Sequence, residues 1–519
     1  MSSDLAKLQS HPRQVALWQN AQQQLLNSRH APALAGYRDL VQRFPAVPQL
    51  WFELGMAAAG ELNFALAEQA FGRTEQLAAR DASMLVLLGQ QYHRLRRLDL
   101  ARSCFERAVA VEPSSVHARL SLAAWYEREL RIDDASNCVE SCAAEHPEDP
   151  QVRCVRALLL HRKGRNAEAE QLLREVIHSG SSDPNVKFSS RHLLGVVLDQ
   201  LGQYPEAMRW LSEAKTLARQ MADTRQMERD YDRAEKRRRE LLAELTPELL
   251  RRWQSEAPSL PAECRLAFLG GHPRSGTTLL EQILGAHPDI FAFDESEAFA
   301  NEVWHALAPM NASQALTARA LDALPAQRRS QLANRYFRSL SRERPASDHG
   351  VVLLDKNPSP TAALHLWLRL FPGLKVVIAL RDPRDVVLSC FFQNLMLTPT
   401  NANFLSLERT ARHYADLMDV WLRLRELGGF DWLEVRYENV VSNLEPEGRR
   451  VTEFLGLPWH TNQAHHHTLA QPKFVFSPTY NAANQPVHTR AIGRWQNYSE
   501  ALEPLQARLA PYCRAFGYE

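Results

Sequence analysis

Small and bulky apolar positions recur through the first half of the chain with a fixed period. Alanines stand at Ala33, Ala67, Ala101, Ala135 and Ala169, each 34 residues after the last, and then at Ala207 after a four-residue expansion. Four residues after each comes a larger apolar side chain: Tyr37, Phe71, Phe105, Val139, Leu173 and Leu211. Residues four apart share a helix face, so the small one admits a second helix and its neighbour fills the groove. A second small register, Gly55, Gly89, Ala123, Ala157 and Gly195, keeps the period and the expansion. Two such registers predict stacked helical hairpins, with Pro45, Pro113 and Pro147 where the second helix must stop.

The pattern then changes. Residues 220–255 are dense in charge and free of glycine, which predicts helix, and "KRRR" at Lys236–Arg239 is flanked by acidic residues, which favours a solvated connecting helix over a nucleic-acid or membrane patch. "APSLP" at Ala257–Pro261 marks a boundary. Beyond it, short apolar runs alternate with longer amphipathic stretches: 266–269, 290–293, 351–354, 376–380 and 432–435. Runs of that length between turn signals predict buried parallel strands with helical crossovers, an α/β domain. Ligands of such sheets sit beyond the carboxyl ends of the strands.

Composition narrows the picture little. Lys and Arg total 61 against 60 for Asp and Glu, so no global field argues for nucleic acid or an anionic membrane. The N-terminus lacks a signal-like apolar core and no run approaches a spanning helix, so a cytoplasmic protein is expected. The 7 cysteines carry no C-x-x-C pair, and reduced, mostly buried thiols are expected rather than disulfides or zinc.

The candidate chemistry lies at the strand ends. After the first run comes "GGHPRSGTT", in which Gly271 and Gly276 have the spacing of a nucleotide-triphosphate loop, but Thr277 stands where the lysine belongs. A helix N-terminus directly after Gly276, with Arg274, Ser275, Thr277 and Thr278, is an anion site. Without that lysine, and with no Walker-B-like aspartate, hydrolysis of ATP or GTP is disfavoured. The next runs end in "DESE", "DKNP" and "RDPRDVVLS". Asp382 and Asp385 suit helix capping. Arg381 caps nothing, and with Ser389 it suits a second phosphate. His272 reads as a ring packed beside the loop, and His465–His467 as a loop run rather than a metal site.

Two resemblances follow from these residues. "W-x-x-L-G" at Trp51–Gly55 and "L-G-x-x-Y" at Leu88–Tyr92, on the 34-residue period, resemble the tetratricopeptide (TPR) family over roughly 31–219. The strand-end motifs resemble the sulfotransferases that use 3′-phosphoadenosine 5′-phosphosulfate (PAPS), most nearly their tyrosylprotein branch, over 264–519. "P-R-S-G-T-T" at Pro273–Thr278 matches the family's 5′-phosphosulfate loop. "H-P-D" at His287–Asp289 and the acidic pair after it put Glu295 where that branch has its catalytic base. "DKNP" puts Lys356 in the place of the lysine on the bridging oxygen, and Arg381 with Ser389 in the place of the 3′-phosphate ligands. Thr479 stands for an active-site serine and Arg494 for a basic phosphate ligand. Gln393 replaces an arginine of the branch.

The resemblances imply a two-part chain. An all-α TPR solenoid (1–219) and a charged helical linker (220–260) precede an α/β P-loop-like sulfotransferase domain with a central parallel sheet (261–519). They imply Glu295, Lys356, Arg274 and Thr479 as catalytic residues. Arg274, Ser275, Gly276, Thr277, Thr278, Arg381, Ser389 and Arg494 would hold PAPS, with adenosine 3′,5′-bisphosphate (PAP) as product and no metal. The expected acceptor is a peptide or protein tyrosine docked by the TPR array, with no nucleic-acid or membrane partner. A carbohydrate or small-molecule hydroxyl is the alternative acceptor; a non-catalytic TPR scaffold with a nucleotide-binding domain and a lysine-free kinase are the readings of other classes.

Overall fold

The structure is a computed structural model that describes residues 3–27, 29–256, 265–307, 316–342, 351–469 and 486–518. Its contacts divide the chain into two units, Met1–Leu172 and Leu173–Glu519. The division falls ahead of residue 219, so the last helical hairpin counts with the C-terminal unit.

In the first unit, helices pair as hairpins: Pro48–Gly60 with Phe64–Leu77, Ala82–Arg94 with Leu98–Val111, and Val116–Arg128 with Ile132–Glu145. The alanine register is fully buried at Ala33, Ala67, Ala101 and Ala135. The glycine register meets the bulky one as the pattern requires. A Cβ on Gly55 would lie 2.4 Å from the Phe71 ring, and one on Gly89 2.7 Å from Phe105. The second helices end two residues before Pro45, Pro113 and Pro147. A third register was not anticipated: Leu62, Arg96 and Leu130 turn each hairpin with φ of 57°, 57° and 60°, and Gly164 and Gly202 take over that left-handed position at 75° and 76°.

In the second unit, the hairpin Pro184–Gln200 and Tyr204–Gln220 has 17 residues in each helix. The preceding first helix, Pro150–Arg162, has 13, so the four-residue expansion is one added helical turn. Gly195 again admits its partner, Leu211, 2.6 Å from a would-be Cβ. The charged stretch forms helices Thr224–Ala243 and Pro247–Ser255, but it is not a solvated connector. Tyr231, Glu235, Leu241 and Leu242 make a buried face. Tyr231 donates to Asp416 at 3.0 Å and Arg409 pairs with Asp232 at 2.9 Å, seating this helix on the long helix Leu407–Leu427. Lys236 is exposed, whereas Arg238 is largely covered.

Five strands form one all-parallel sheet: β1 (Arg265–Gly271), β2 (Ile290–Asp294), β3 (Val352–Lys356), β4 (Lys375–Leu380) and β5 (Trp432–Arg436), in the order β2-β3-β1-β4-β5. Each agrees with an expected apolar run to within two residues. The register aligns Leu269 and Asp294 with Lys356, and Gly271 with Ala379, so the expected chemistry emerges along one edge. Two apolar clusters cover the faces, one centred on Phe268, Trp367 and Trp421 and the other on Leu269, Ile283 and Val377. Among the described residues, six cysteines are free and five of them buried, and no helix is long and apolar enough to cross a membrane.

Candidate active site

β1 delivers the chain into the loop through Gly271, whose φ of 127° strains any side-chain-bearing residue and whose Cβ would lie 2.3 Å from the Ala379 carbonyl oxygen. Thr361 braces this point: its Oγ1 accepts from the Gly271 N–H at 2.9 Å. The loop closes on itself where the N–H and the hydroxyl of Ser275 both donate to the His272 carbonyl, at 3.1 and 2.7 Å. Gly276, at φ 93°, caps the helix Thr277–Gly285, and a Cβ there would strike the Tyr437 ring at 2.6 Å. The first N–H groups of that helix face a cavity of ≈ 400 Å³ lined by Gly276, Thr277 and Thr278. Glu295, Ser359, Arg381 and Tyr437, from beyond the ends of β2, β3, β4 and β5, complete its walls.

Three arginines converge on this cavity. Arg274 Nε donates to Ser389 Oγ at 3.1 Å. Arg381 donates to the Arg274 carbonyl at 3.3 Å and to the Ala491 carbonyl at 2.5 Å, and it lies over the Tyr437 ring at 5.0 Å. Arg494 lies over Phe392 at 4.2 Å and forms a salt bridge to Asp199 at 2.9 Å. Burial pushes the Arg274 guanidinium down to about 10; Cys390 opposes the shift, and Arg381 and Arg494 deepen it. Arg381 Nε is buried with no partner among the described residues. A buried donor without an acceptor is costly, and a bound anion removes that cost. The donor set therefore fits an anionic ligand that reaches from the helix N-terminus to Arg381 and Ser389.

The opposite wall carries the acid–base candidates. The N–H of Glu295 donates to the Lys356 carbonyl at 2.8 Å, extending the β2–β3 pairing by one residue, and its backbone is left-handed at φ 52°. Arg274 is left-handed too, at φ 74°. Among the described residues, the two left-handed non-glycine residues outside the repeat turns thus face one cavity. Lys356 Nζ, fully buried, donates to Asp294 at 2.5 Å and to Glu295 Oε1 at 3.2 Å. Burial opposes its charge, but Asp294, Glu295 and Glu281 outweigh burial and raise its pKa.

Arg274, Gly276, Thr277, Thr278, Glu295, Arg381, Ser389 and Arg494 all line the cavity. Ser275 and Lys356 do not: the Ser275 hydroxyl turns back into the loop, and the Lys356 ammonium is taken up by two carboxylates. Thr479 lies outside the described residues. His272 is behind the loop, accepting at Nε2 from His413 Nδ1 at 2.9 Å because its own Nδ1 donates to the Pro273 carbonyl. Burial lowers its pKa to about 4, which suits the packed ring expected of it. Asp382 caps its helix through the Arg384 N–H at 2.9 Å. Asp385 does not cap: it accepts from the N–H groups of Gly493 and Trp495, both at 2.8 Å, and so ties down the segment that carries Arg494. No cluster of metal-ligating side chains occurs among the described residues.

Tyr437, Asp199 and Thr361 were missed by sequence reasoning. Tyr437 stands just past the fifth apolar run and was open to the strand-end rule. Asp199 and Thr361 left no signal in any motif.

Comparison with known proteins matches the repeats and the sheet-bearing part to different families. The model of the Sulfotransferase family matches residues 267–461, and tetratricopeptide repeat models match 82–115, 126–184 and 189–213. The chain is 26% identical over 270 residues to protein-tyrosine sulfotransferase A of Caenorhabditis elegans, covering 49% of this chain and 67% of that one. It is 26% identical over 275 residues to protein-tyrosine sulfotransferase 2 of Gallus gallus, covering 50% and 70%. An uncharacterized protein of Aquifex aeolicus is 24% identical over 344 residues, 64% of this chain and 43% of that one. Among solved structures, the sulfotransferase domain of the Synechococcus PCC 7002 olefin synthase aligns with 19% identity and a TM-score of 0.36, over 50% of this chain and 98% of that domain.

Proposed function

With residues 267–461 forming a sulfotransferase-family domain behind tetratricopeptide repeats, we propose that this chain transfers the sulfuryl group of PAPS to the hydroxyl of a peptide or protein tyrosine. The observation that carries the reading is the convergence of Arg274, Arg381 and Arg494 on one cavity at a helix N-terminus, with the Arg381 Nε buried and unpartnered among the described residues. Thr277, Thr278, Gly276 and Arg274 would hold the 5′-phosphosulfate end, and Arg381 with Ser389 the 3′-phosphate. PAPS supplies the sulfuryl group and departs as PAP.

The chain's own residues do the rest. Glu295 faces the cavity and takes the acceptor hydroxyl's proton. Lys356 fixes the Glu295 carboxylate through the 3.2 Å contact at Oε1, and two of its three N–H donors are taken by Asp294 and Glu295. Arg274 and the helix N-terminus stabilise charge that grows on the transferred group's oxygens. The family resemblance gives Thr479, outside the described residues, the part of a further hydrogen-bond donor. The tyrosine preference rests on the protein-tyrosine sulfotransferases among the relatives, and the repeats offer a surface for a polypeptide acceptor. Thermal shift with PAP against ATP tests the cofactor, and intact-mass screening of peptides with PAPS tests the acceptor. Stabilisation by ATP with magnesium instead of PAP would replace the reading with phosphoryl transfer; turnover of sugars but not peptides would replace the acceptor.

A further inference from the structure

Arg494 reaches the cavity while held by a residue of a helical repeat. Asp199 lies in the last turn of Pro184–Gln200, within the segment 189–213 that matches a tetratricopeptide model, and both residues belong to the C-terminal unit. Its carboxylate is buried and fully engaged. It takes Arg494 Nη2 at 2.9 Å and Nε at 3.3 Å, the Tyr498 hydroxyl at 2.6 Å and the Gln200 amide at 3.2 Å. Held along this one edge, the guanidinium keeps its remaining N–H donors for the cavity that Arg494 lines.

The same hairpin grips the floor under Arg494. His192 Nε2 donates to the Phe392 carbonyl at 3.0 Å, and Lys215 Nζ donates to the Gln393 carbonyl at 2.6 Å. Phe392 is the ring over which the Arg494 guanidinium stacks, and Gln393 is itself a lining residue. Three side chains of one repeat hairpin thus fix one guanidinium and the backbone beneath it.

We infer that the last helical repeat is part of the nucleotide site, with Asp199 as the positioning residue that aims Arg494 at a phosphate of the bound nucleotide. The inference rests on the PAPS reading above. A carboxylate bonded to the Nε edge of an arginine removes its side-chain freedom before the ligand arrives, so less order has to be imposed on binding. In the regular repeats the matching residue serves the array itself, as where Glu127 takes Arg162 Nε at 2.5 Å. At the position four residues after the small residue of the first helix they carry Ala59, His93, Glu127 and His161, with Asp199 at the expanded repeat.

The test is a double-mutant cycle on the full chain, read by calorimetric titration with PAP. Asp199→Asn should weaken PAP about tenfold, Arg494→Ala at least as much, and the double variant no more than Arg494→Ala alone, because Asp199 acts only through Arg494. Tyr498→Phe, which removes one neutral partner of Asp199, should weaken PAP about threefold and lose that effect in the Arg494→Ala background; it carries the test if Asp199→Asn does not fold. Absence of PAP binding by the parent protein defeats the PAPS reading itself. Parent binding with no loss in Arg494→Ala removes Arg494 from the site and the inference with it. Unchanged or tighter binding by Asp199→Asn, or losses that add in the double variant, overturn the inference alone.

Discussion

A side chain at Gly89 would run into the Phe105 ring at 2.7 Å, and one at Gly271 into the Ala379 carbonyl oxygen at 2.3 Å, yet the two glycines answer different demands. Gly89 sits inside the ordinary helix Ala82–Arg94 and is small so that a neighbouring helix can approach. Gly271 has a φ of 127° and is small because its backbone has no other way to turn from β1 into the loop. The first demand recurs every 34 residues and concerns only packing. The second keeps no such period; in the loop it falls on Gly271 and again on Gly276, where the chain brings backbone N–H groups and arginines to the cavity. Repetition marks what holds this molecule together, and departures from it mark what the molecule does.

Breaking the comparison at its functional end gives the largest effect. Glu295→Gln should lower turnover with PAPS and an accepted substrate by roughly 10²–10⁴-fold while PAP affinity and melting midpoint hold. Parent-like turnover would hand the proton to another group, Asp294 first.

Acid should separate the two regions next. In the C-terminal unit burial lowers His192 to about 4, His272 to about 4 and His365 to about 3, and His413 lies well below its ordinary value; Lys215 beside His192 and Arg238 beside His365 and His413 add to this. Between pH 6.5 and about 4 the unfolded chain binds protons at these rings and the folded unit does not. Stability therefore rises with pH across that window, is lost on acidification, and is flat in these groups above 6.5, with several kcal/mol at stake. Melting midpoints measured across the window check it, and a pH-independent midpoint would contradict the buried neutral rings.

The glycine pair is tested directly. Gly271→Ala should cost ~3 kcal/mol or more, since both conformation and a carbonyl oxygen oppose it. Gly89→Ala should cost ~1–3 kcal/mol, because only a ring has to move. Denaturant titration of each variant gives the order, and equal costs would erase the distinction. At the anion site, Arg274→Ala should weaken PAP by ~1.5–3 kcal/mol without unfolding the repeats. Arg381→Ala should weaken PAP far more than AMP; equal losses in calorimetry would remove it from the 3′-phosphate. The smallest effect is a gain. Arg96→Gly, at φ 57°, should stabilise the first unit by ~0.5–1 kcal/mol in the same titrations.

Much of this was legible in the sequence, for identifiable reasons. The hairpins could be read because Ala67 and Phe71 lie one turn apart and recur. The strands could be read because a buried parallel strand is a short apolar run, and the strand-end rule then pointed to Glu295, Arg381 and Ser389. Direction within the site was not legible. Ser275 belongs to the loop motif, but its hydroxyl bonds back to His272, and Lys356 ends its strand buried against Asp294. Motifs record which residues are near, whereas rotamers depend on neighbours from other strands. The partnership of Asp199 with Arg494 spans 295 residues and joins the last repeat to the C-terminal turn Arg494–Tyr498. The four-residue expansion was visible, but the contact made by its helix was not.

The left-handed backbones of Arg274 and Glu295 set the stability of this protein against its chemistry. A glycine at either position would relax the chain and free the fold of a conformation that L-residues resist, yet it would delete the guanidinium or the carboxylate to which the proposed transfer gives a role. On that proposal, a search for sturdier variants scored by heat resistance alone should collect glycine at 274 and 295 early and enrich folded protein that has lost turnover.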